Sequence, residues 1–114
     1  MSRRLERVGE QIRAEVARVL REEVADPRVA MVTVLRVDVS PDLRNALVSW
    51  SRIERPGGAP IETITEGLAS AAPFVRRKLA RALPLKRMPA LTFRYDPGLE
   101  AGDRMLSLLR DLVR

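Results

Sequence analysis

The sequence has no cysteine and no histidine. Without cysteine there are no disulfides, no thiolate nucleophile and no cysteine metal site. Without histidine the commonest general base and the commonest zinc ligand are also missing. Catalysis would fall to Asp, Glu, Ser, Tyr or Lys. Aromatics are scarce as well, with one Trp, one Tyr and two Phe in 114 residues. A stacking platform for unpaired bases therefore has few candidates. No apolar run approaches the ~20 residues of a membrane span. The opening Met1-Ser2-Arg3-Arg4-Leu5-Glu6-Arg7 has no apolar signal core. The cytoplasm of a prokaryote is the expected compartment. Gly57-Gly58 is not followed by Gly-Lys-Ser/Thr, so a nucleotide-phosphate loop has no support.

What is present is a single domain's worth of chain, residues 1–114, with 46% hydrophobic residues and a net charge of +6. That charge is concentrated. Residues 73–87 hold Arg76, Arg77, Lys78, Arg81, Lys86 and Arg87 and no acid, which alone matches the whole net charge of +6. A polyanion is the natural partner of such a segment. Pro73 suits a first helical position, and Pro84 ends the helix about three turns later. At about 100° per residue, Val75, Leu79, Ala82 and Leu83 share one side. Arg77, Lys78 and Arg81 gather on the other, with Phe74 near them. A helix built only for solubility would mix signs to gain i,i+4 pairs.

Taken in order, residues 3–23 read as a helix with Leu5, Val8, Ile12, Val16 and Val19 or Leu20 in one stripe. Ser2 is the expected N-cap, and Asp26-Pro27 closes the segment. Arg3, Arg4 and Arg7 face the unfavourable end of the helix dipole, a small cost that hints at binding. Residues 31–39 and 44–51 read as two strands joined by the turn Ser40-Pro41-Asp42, an antiparallel hairpin. Leu35, Val37 and Val39 alternate with Arg36 and Asp38. The alternation blurs at Val32 and Val34, which suggests cover on both faces there. Trp50, in phase with Ala46 and Val48, is expected in the core. Residues 55–60 are a loop by composition. Residues 61–72 form a further helix with Ile61, Ile64 and Leu68 inward, and small residues around Gly67 allow close packing. It meets the basic helix with almost no linker, so a kink is expected at Ala71-Ala72-Pro73. Leu91, Phe93 and Tyr95 mark a third strand, 90–95. Asp96-Pro97 opens a last helix lined by Met105, Leu108, Leu109, Leu112 and Val113.

The resulting order is helix, strand, strand, helix, helix, strand, helix, with the kink between the two central helices. Its first six elements are those of a type II KH domain, an α+β fold. The chain resembles the ribosome-binding factor A family over about residues 3 to 112. The resemblance rests on Arg4-Leu5-Glu6-Arg7-Val8 with Ile12, on Asp26-Pro27-Arg28, and on Val32-Thr33-Val34 with Val37, Val39 and Ser40. It continues through Asp42-Leu43 with Ala46 and Val48, Phe74-Val75-Arg76-Arg77 with Leu79, and Leu85-Lys86 with Pro89, Leu91, Phe93 and Asp96. There is no Gly-x-x-Gly loop to clamp a nucleic-acid backbone. The family usually carries an Ala-x-Gly kink, and here proline stands in the glycine position.

The resemblance implies a three-stranded sheet with helices packed on one face. It also implies a non-enzymatic assembly factor that binds the bacterial small (30S) ribosomal subunit and its 16S rRNA. Such factors assist late maturation and 5′-end processing and matter most in the cold. Ribosomal proteins are further expected contacts. No cofactor, metal, membrane or small-molecule substrate is expected, and the chain is expected to be a monomer. Phosphate contacts fall to Arg76, Arg77, Lys78, Arg81, Lys86 and Arg87, with Arg3, Arg4 and Arg7 in second place. Three other readings stand beside this one. A general KH-like RNA-binding module would use the same helix. A small nuclease would need metal-binding carboxylates such as Asp26, Asp38, Asp42 and Asp96, although Asp26, Asp42 and Asp96 all flank turns or proline. An adaptor would bind protein through the apolar faces of the terminal helices.

Overall fold

The apolar stripe of the first segment winds into α1 (Arg3–Glu22) and buries Val8, Ile12, Val16, Val19 and Leu20. The computed structural model describes residues 3–52 and 58–97. Beyond α1 it contains a single 3₁₀ turn (Pro27–Val29), β1 (Val32–Val39), β2 (Asn45–Arg52), α2 (Ile61–Ala82) and β3 (Ala90–Tyr95). The sheet order is β1-β2-β3. β1 pairs antiparallel with β2, and β2 pairs parallel with β3. The parallel pair needs a crossover, and α2 provides it. This is the α+β, type II KH-like arrangement expected. Ser2 and the last helix expected after Asp96-Pro97 lie outside the described residues, as does part of the 55–60 loop.

Register explains which residues meet. Val34 lies opposite Trp50, Val37 opposite Val48, and Val39 opposite Ala46. Leu91, Phe93 and Tyr95 then sit beside Ala46, Val48 and Trp50. All of these point to the helix-covered face, where α1 and α2 complete the core. Trp50 is 1% exposed, in the core as expected. Its ring lies 5.0 Å from that of Tyr95, tilted by 52°. Burying a Leu, Ile or Val side chain of this set contributes about 1.5–3 kcal/mol each. On the opposite face Arg36, Asp38, Thr92 and Arg94 are exposed, and Arg36 donates to Asp38 at 2.9 Å. Ser49 and Ser51 are buried in β2, and neither hydroxyl has a partner among the described residues.

Three expectations are corrected. The blurred alternation in the first strand is a β-bulge: the register shifts between Val34 and Arg36, leaving Leu35 as the extra residue. A bulge puts two residues against one and reverses the phase, so Val34 and Val37 both face the helices without a second cover. Ala82, expected on the packed side of the basic helix, is exposed, whereas Val75 and Leu79 are fully buried. The third correction concerns Ala71-Ala72-Pro73. The two helices expected there are one, α2, with Pro73 inside it. Ile64, Leu68, Ala71, Val75 and Leu79 are buried in unbroken helical phase across the proline. Pro73 itself is exposed, and so is Ala69, whose carbonyl loses its N–H partner. Water can satisfy that carbonyl, so packing on the other side carries the helix through.

A proline in a helix interior costs about 3 kcal/mol relative to alanine, partly offset by the stiffer unfolded chain. Pro73→Ala is therefore expected to stabilise the domain by about 1–2 kcal/mol, raising the thermal midpoint by roughly 5–10 °C. A midpoint that falls in calorimetry would mean that Pro73 maintains a helix geometry on which the rest of the domain depends.

Candidate nucleic-acid interface

The cations named from the sequence separate into two kinds once the chain is folded. Arg76 is exposed, but its guanidinium is engaged by the chain itself. Its Nη2 donates to the Met88 carbonyl at 3.0 Å and its Nε to the Pro89 carbonyl at 3.4 Å. It thereby ties the segment after α2 to the helix and positions Lys86 and Arg87. Lys78 is also engaged. Its Nζ lies 3.1 Å from Glu23 Oε1 and 5.5 Å from the centre of the Phe74 ring. Glu23 in turn meets Arg18 at 3.0 Å, and Arg18 reaches Glu15 and Glu22. The Lys78 ammonium, with Arg18 behind it, holds the Glu23 carboxyl below its ordinary value. Lys78 thus fastens α2 to the end of α1.

Arg77 and Arg81 are different. Both are exposed on α2, one turn apart and so neighbours on the helix surface. Neither has an acidic partner among the described residues. Lys86 and Arg87 are likewise exposed and unpaired there. So are Arg3, Arg4 and Arg7 on α1. Of those three, Arg4 is brought to Lys86 and Arg87. The three cations line one groove of about 480 Å³, with Val8, Leu43 and Leu85 among its apolar lining. The groove joins the start of α1, the β1–β2 turn and the segment between α2 and β3. Arg3 and Arg7 are not among its lining residues.

The β1–β2 turn forming one wall is built locally. Ser40 Oγ donates to Asp42 Oδ1 at 2.6 Å, and the Arg44 N–H donates to the same oxygen at 3.0 Å. These bonds hold the Asp42 carboxyl below its usual value, the serine contributing most. The Leu43 N–H reaches the Ser40 carbonyl at 2.8 Å. Leu43 takes the left-handed conformation, with φ of 60°.

Two of the other acids weighed for metal chemistry, Asp26 and Asp38, are also held. Asp26 caps the 3₁₀ turn through the Arg28 N–H at 2.9 Å and meets the Arg28 guanidinium at 2.7 Å. That pairing lowers the Asp26 carboxyl. Asp38 pairs with Arg36 across the open sheet face. Among the described residues no group of three or more His, Cys, Asp or Glu is placed to hold a metal ion. No helix there is long and apolar enough to cross a membrane.

The family profile described as ribosome-binding factor A matches residues 4–109. The chain belongs to the ribosome-binding factor A family. It is 40% identical over 111 residues to ribosome-binding factor A of Azoarcus sp. (strain BH72), covering 97% of this chain and 86% of that one. With the protein of the same name from Thioalkalivibrio sulfidiphilus it shares 44% over 110 residues, covering 96% and 84%. Among solved structures it resembles the crystal structure of ribosome-binding factor A from Thermus thermophilus in fold. The TM-score is 0.69 at 23% identity, covering 80% of this chain and 94% of that one. It also resembles a homology model of the Thermus thermophilus ribosome-binding factor A fitted into a cryo-EM map of a 30S complex. There the TM-score is 0.55 at 28% identity, with 76% and 93% covered.

Two features of the interface have no sign in sequence spacing. Glu23 is 55 positions before Lys78 and belongs to another element, so counting acids along residues 73–87 misses it. The groove takes Val8, Asp42 and Leu43 from segments that only the fold brings to Lys86. The one local signal was Asp42-Leu43, which carries part of the family resemblance.

Proposed function

We propose that this protein is a non-enzymatic assembly factor that binds the small ribosomal subunit through the phosphates of its folded 16S rRNA. In this reading it assists late maturation and 5′-end processing of that RNA, with the largest effect in the cold. It works in the cytoplasm, as a monomer. The observation that carries the reading is the set of exposed cations Arg77, Arg81, Lys86 and Arg87, which have no acidic partner among the described residues. A basic surface left unneutralised within the protein is suited to neutralise phosphates. Membership of the ribosome-binding factor A family supports the ribosome as the source of those phosphates. So does the 30S complex into which the Thermus thermophilus relative was fitted.

Arg77 and Arg81 are the central contacts, with Lys86, Arg87 and Arg4 continuing the surface and Arg3 and Arg7 at its margin. Arg76 and Lys78 act mainly by holding the loop and α2 in place. Phosphate contacts supply affinity and registration but little sequence information, so the shape of the RNA surface carries most of the selectivity.

Co-sedimentation with separated ribosomal subunits tests this. The expected result is association with small subunits alone, weakening steeply between about 50 and 200 mM salt, because about five phosphate contacts each release counterions on binding. Equal association with large subunits, small subunits and bulk RNA would reduce the protein to a general RNA-binding module.

A further inference from the structure

The groove between α1, the β1–β2 turn and the loop before β3 has more in it than a phosphate site needs. Arg4, Lys86 and Arg87 supply positive charge. Leu43 and Leu85, both half-buried, supply apolar surface beside it. Its volume of about 480 Å³ is within the range of about 300–1,000 Å³ typical of small-ligand sites.

Leu43 is the telling residue. Among the described residues it is the one non-glycine with positive φ, at 60°. A branched aliphatic residue there costs about 1–2 kcal/mol, and glycine or asparagine would fit with less strain. Such strain gathers at functional sites. What leucine adds over glycine at this point is an apolar side chain facing the groove. Asp42 beside it completes the set. Its Oδ1 accepts from Ser40 and from the Arg44 N–H, and the exposed carboxylate, with about four lone-pair sites, keeps acceptor capacity beyond these. A fixed, ionised acceptor next to an apolar wall suits an exocyclic amine.

We infer that the groove receives one unstacked nucleotide of a folded RNA, its base against Leu43 and Leu85 and its flanking phosphates on Arg4, Lys86 and Arg87. The inference rests on the RNA-binding reading above and adds a ligand class to part of that surface. The base is held without an aromatic stack, so the gain is smaller than on a stacking platform. Asp42 selects bases that carry an amine: adenine, cytosine or guanine rather than uracil.

The test uses the full chain and three short RNA hairpins of equal length: one with a single unpaired adenosine, one with an unpaired uridine, and one fully paired. The wild type is expected to bind the adenosine hairpin about tenfold more tightly than the paired one, with uridine between. Leu43→Gly is expected to lose that preference while its thermal midpoint stays at or above the wild-type value, because glycine relieves the strain. Leu43→Asn, which also tolerates left-handed φ, serves as a second variant and is expected to behave alike. Equal wild-type affinity for all three hairpins would overturn the inference, as would a preference that survives in both variants. Hexaglutamate competing as well as the adenosine hairpin would overturn it in favour of an acidic protein segment. Absence of salt-sensitive binding to any hairpin would remove the RNA-binding reading itself, and the inference with it.

Discussion

Reversing both Arg77 and Arg81 to Glu is expected to weaken binding to small ribosomal subunits about 100-fold at low salt, equivalent to about 2.7 kcal/mol. The two side chains are one turn apart on α2, exposed, and without acidic partners among the described residues. Two phosphate contacts would be lost and two repulsions introduced. The slope of log affinity against log salt should become shallower by about 2. Folding should change by only about 1 kcal/mol. Arg77 is an exposed mid-helix position, where changes usually lie within about 0.5 kcal/mol. Arg81 lies in the last turn of α2, and its reversal there opposes the helix dipole at a further cost of about 0.3–1 kcal/mol. Sedimentation binding measured with thermal melts separates the two effects. Unchanged binding with an intact fold would remove this face from the interface. Lys78 would be a poor choice for the same test. Its reversal places two carboxylates together at Glu23 and disturbs the α1–α2 joint, confusing binding with folding.

The second large effect concerns stability. Gly9→Ala is expected to destabilise the protein by about 2 kcal/mol, a fall of roughly 10 °C in the thermal midpoint. In an ordinary helix the same change would gain up to about 1 kcal/mol. Here a methyl group would stand 2.5 Å from the Val37 carbonyl oxygen. That obstacle is backbone, not a flexible side chain, and Val37 is locked into the sheet opposite Val48. α1 must therefore lift from β1, loosening the contacts of Val8 and Ile12. Gly67 has a related role against the 3₁₀ turn, where an added carbon would lie 2.9 Å from Arg28 Cβ. A variant at Gly9 that melts at or above the wild-type midpoint would show that α1 can shift without loss.

Much of the fold was legible in the sequence because its elements are strongly periodic. The stripe in α1, the β-branched strands and the phase of Ala46, Val48 and Trp50 each report one buried face. What was not legible depended on contacts between elements. The bulge at Leu35 hides in a run of apolar residues where either phase reads plausibly. Pro73 looks like a helix boundary, yet its missing N–H falls on the exposed side while Val75 and Leu79 continue the packing of Ile64 and Leu68. Within the candidate interface, residue type identified cations but could not say which were free. Arg76 finds two carbonyls and Lys78 finds Glu23, while Arg77 and Arg81 remain available. Leu43 gives no hint of its backbone conformation, since nothing in Ser40-Pro41-Asp42-Leu43 calls for glycine's freedom except the turn itself.

The parallel pairing of β2 with β3 also has a consequence in time. The β1–β2 hairpin closes over a short stretch of chain, so its loop entropy is small. β3 cannot take its place until α2 has been made and has crossed the sheet. The groove draws its walls from α1, from the hairpin turn and from the segment tied down by Arg76, so it is complete only when the crossover is complete. A chain emerging during synthesis therefore displays the cations of α2 before it owns the groove. On the proposed reading, general attraction to phosphates would come first and the groove's discrimination among them last.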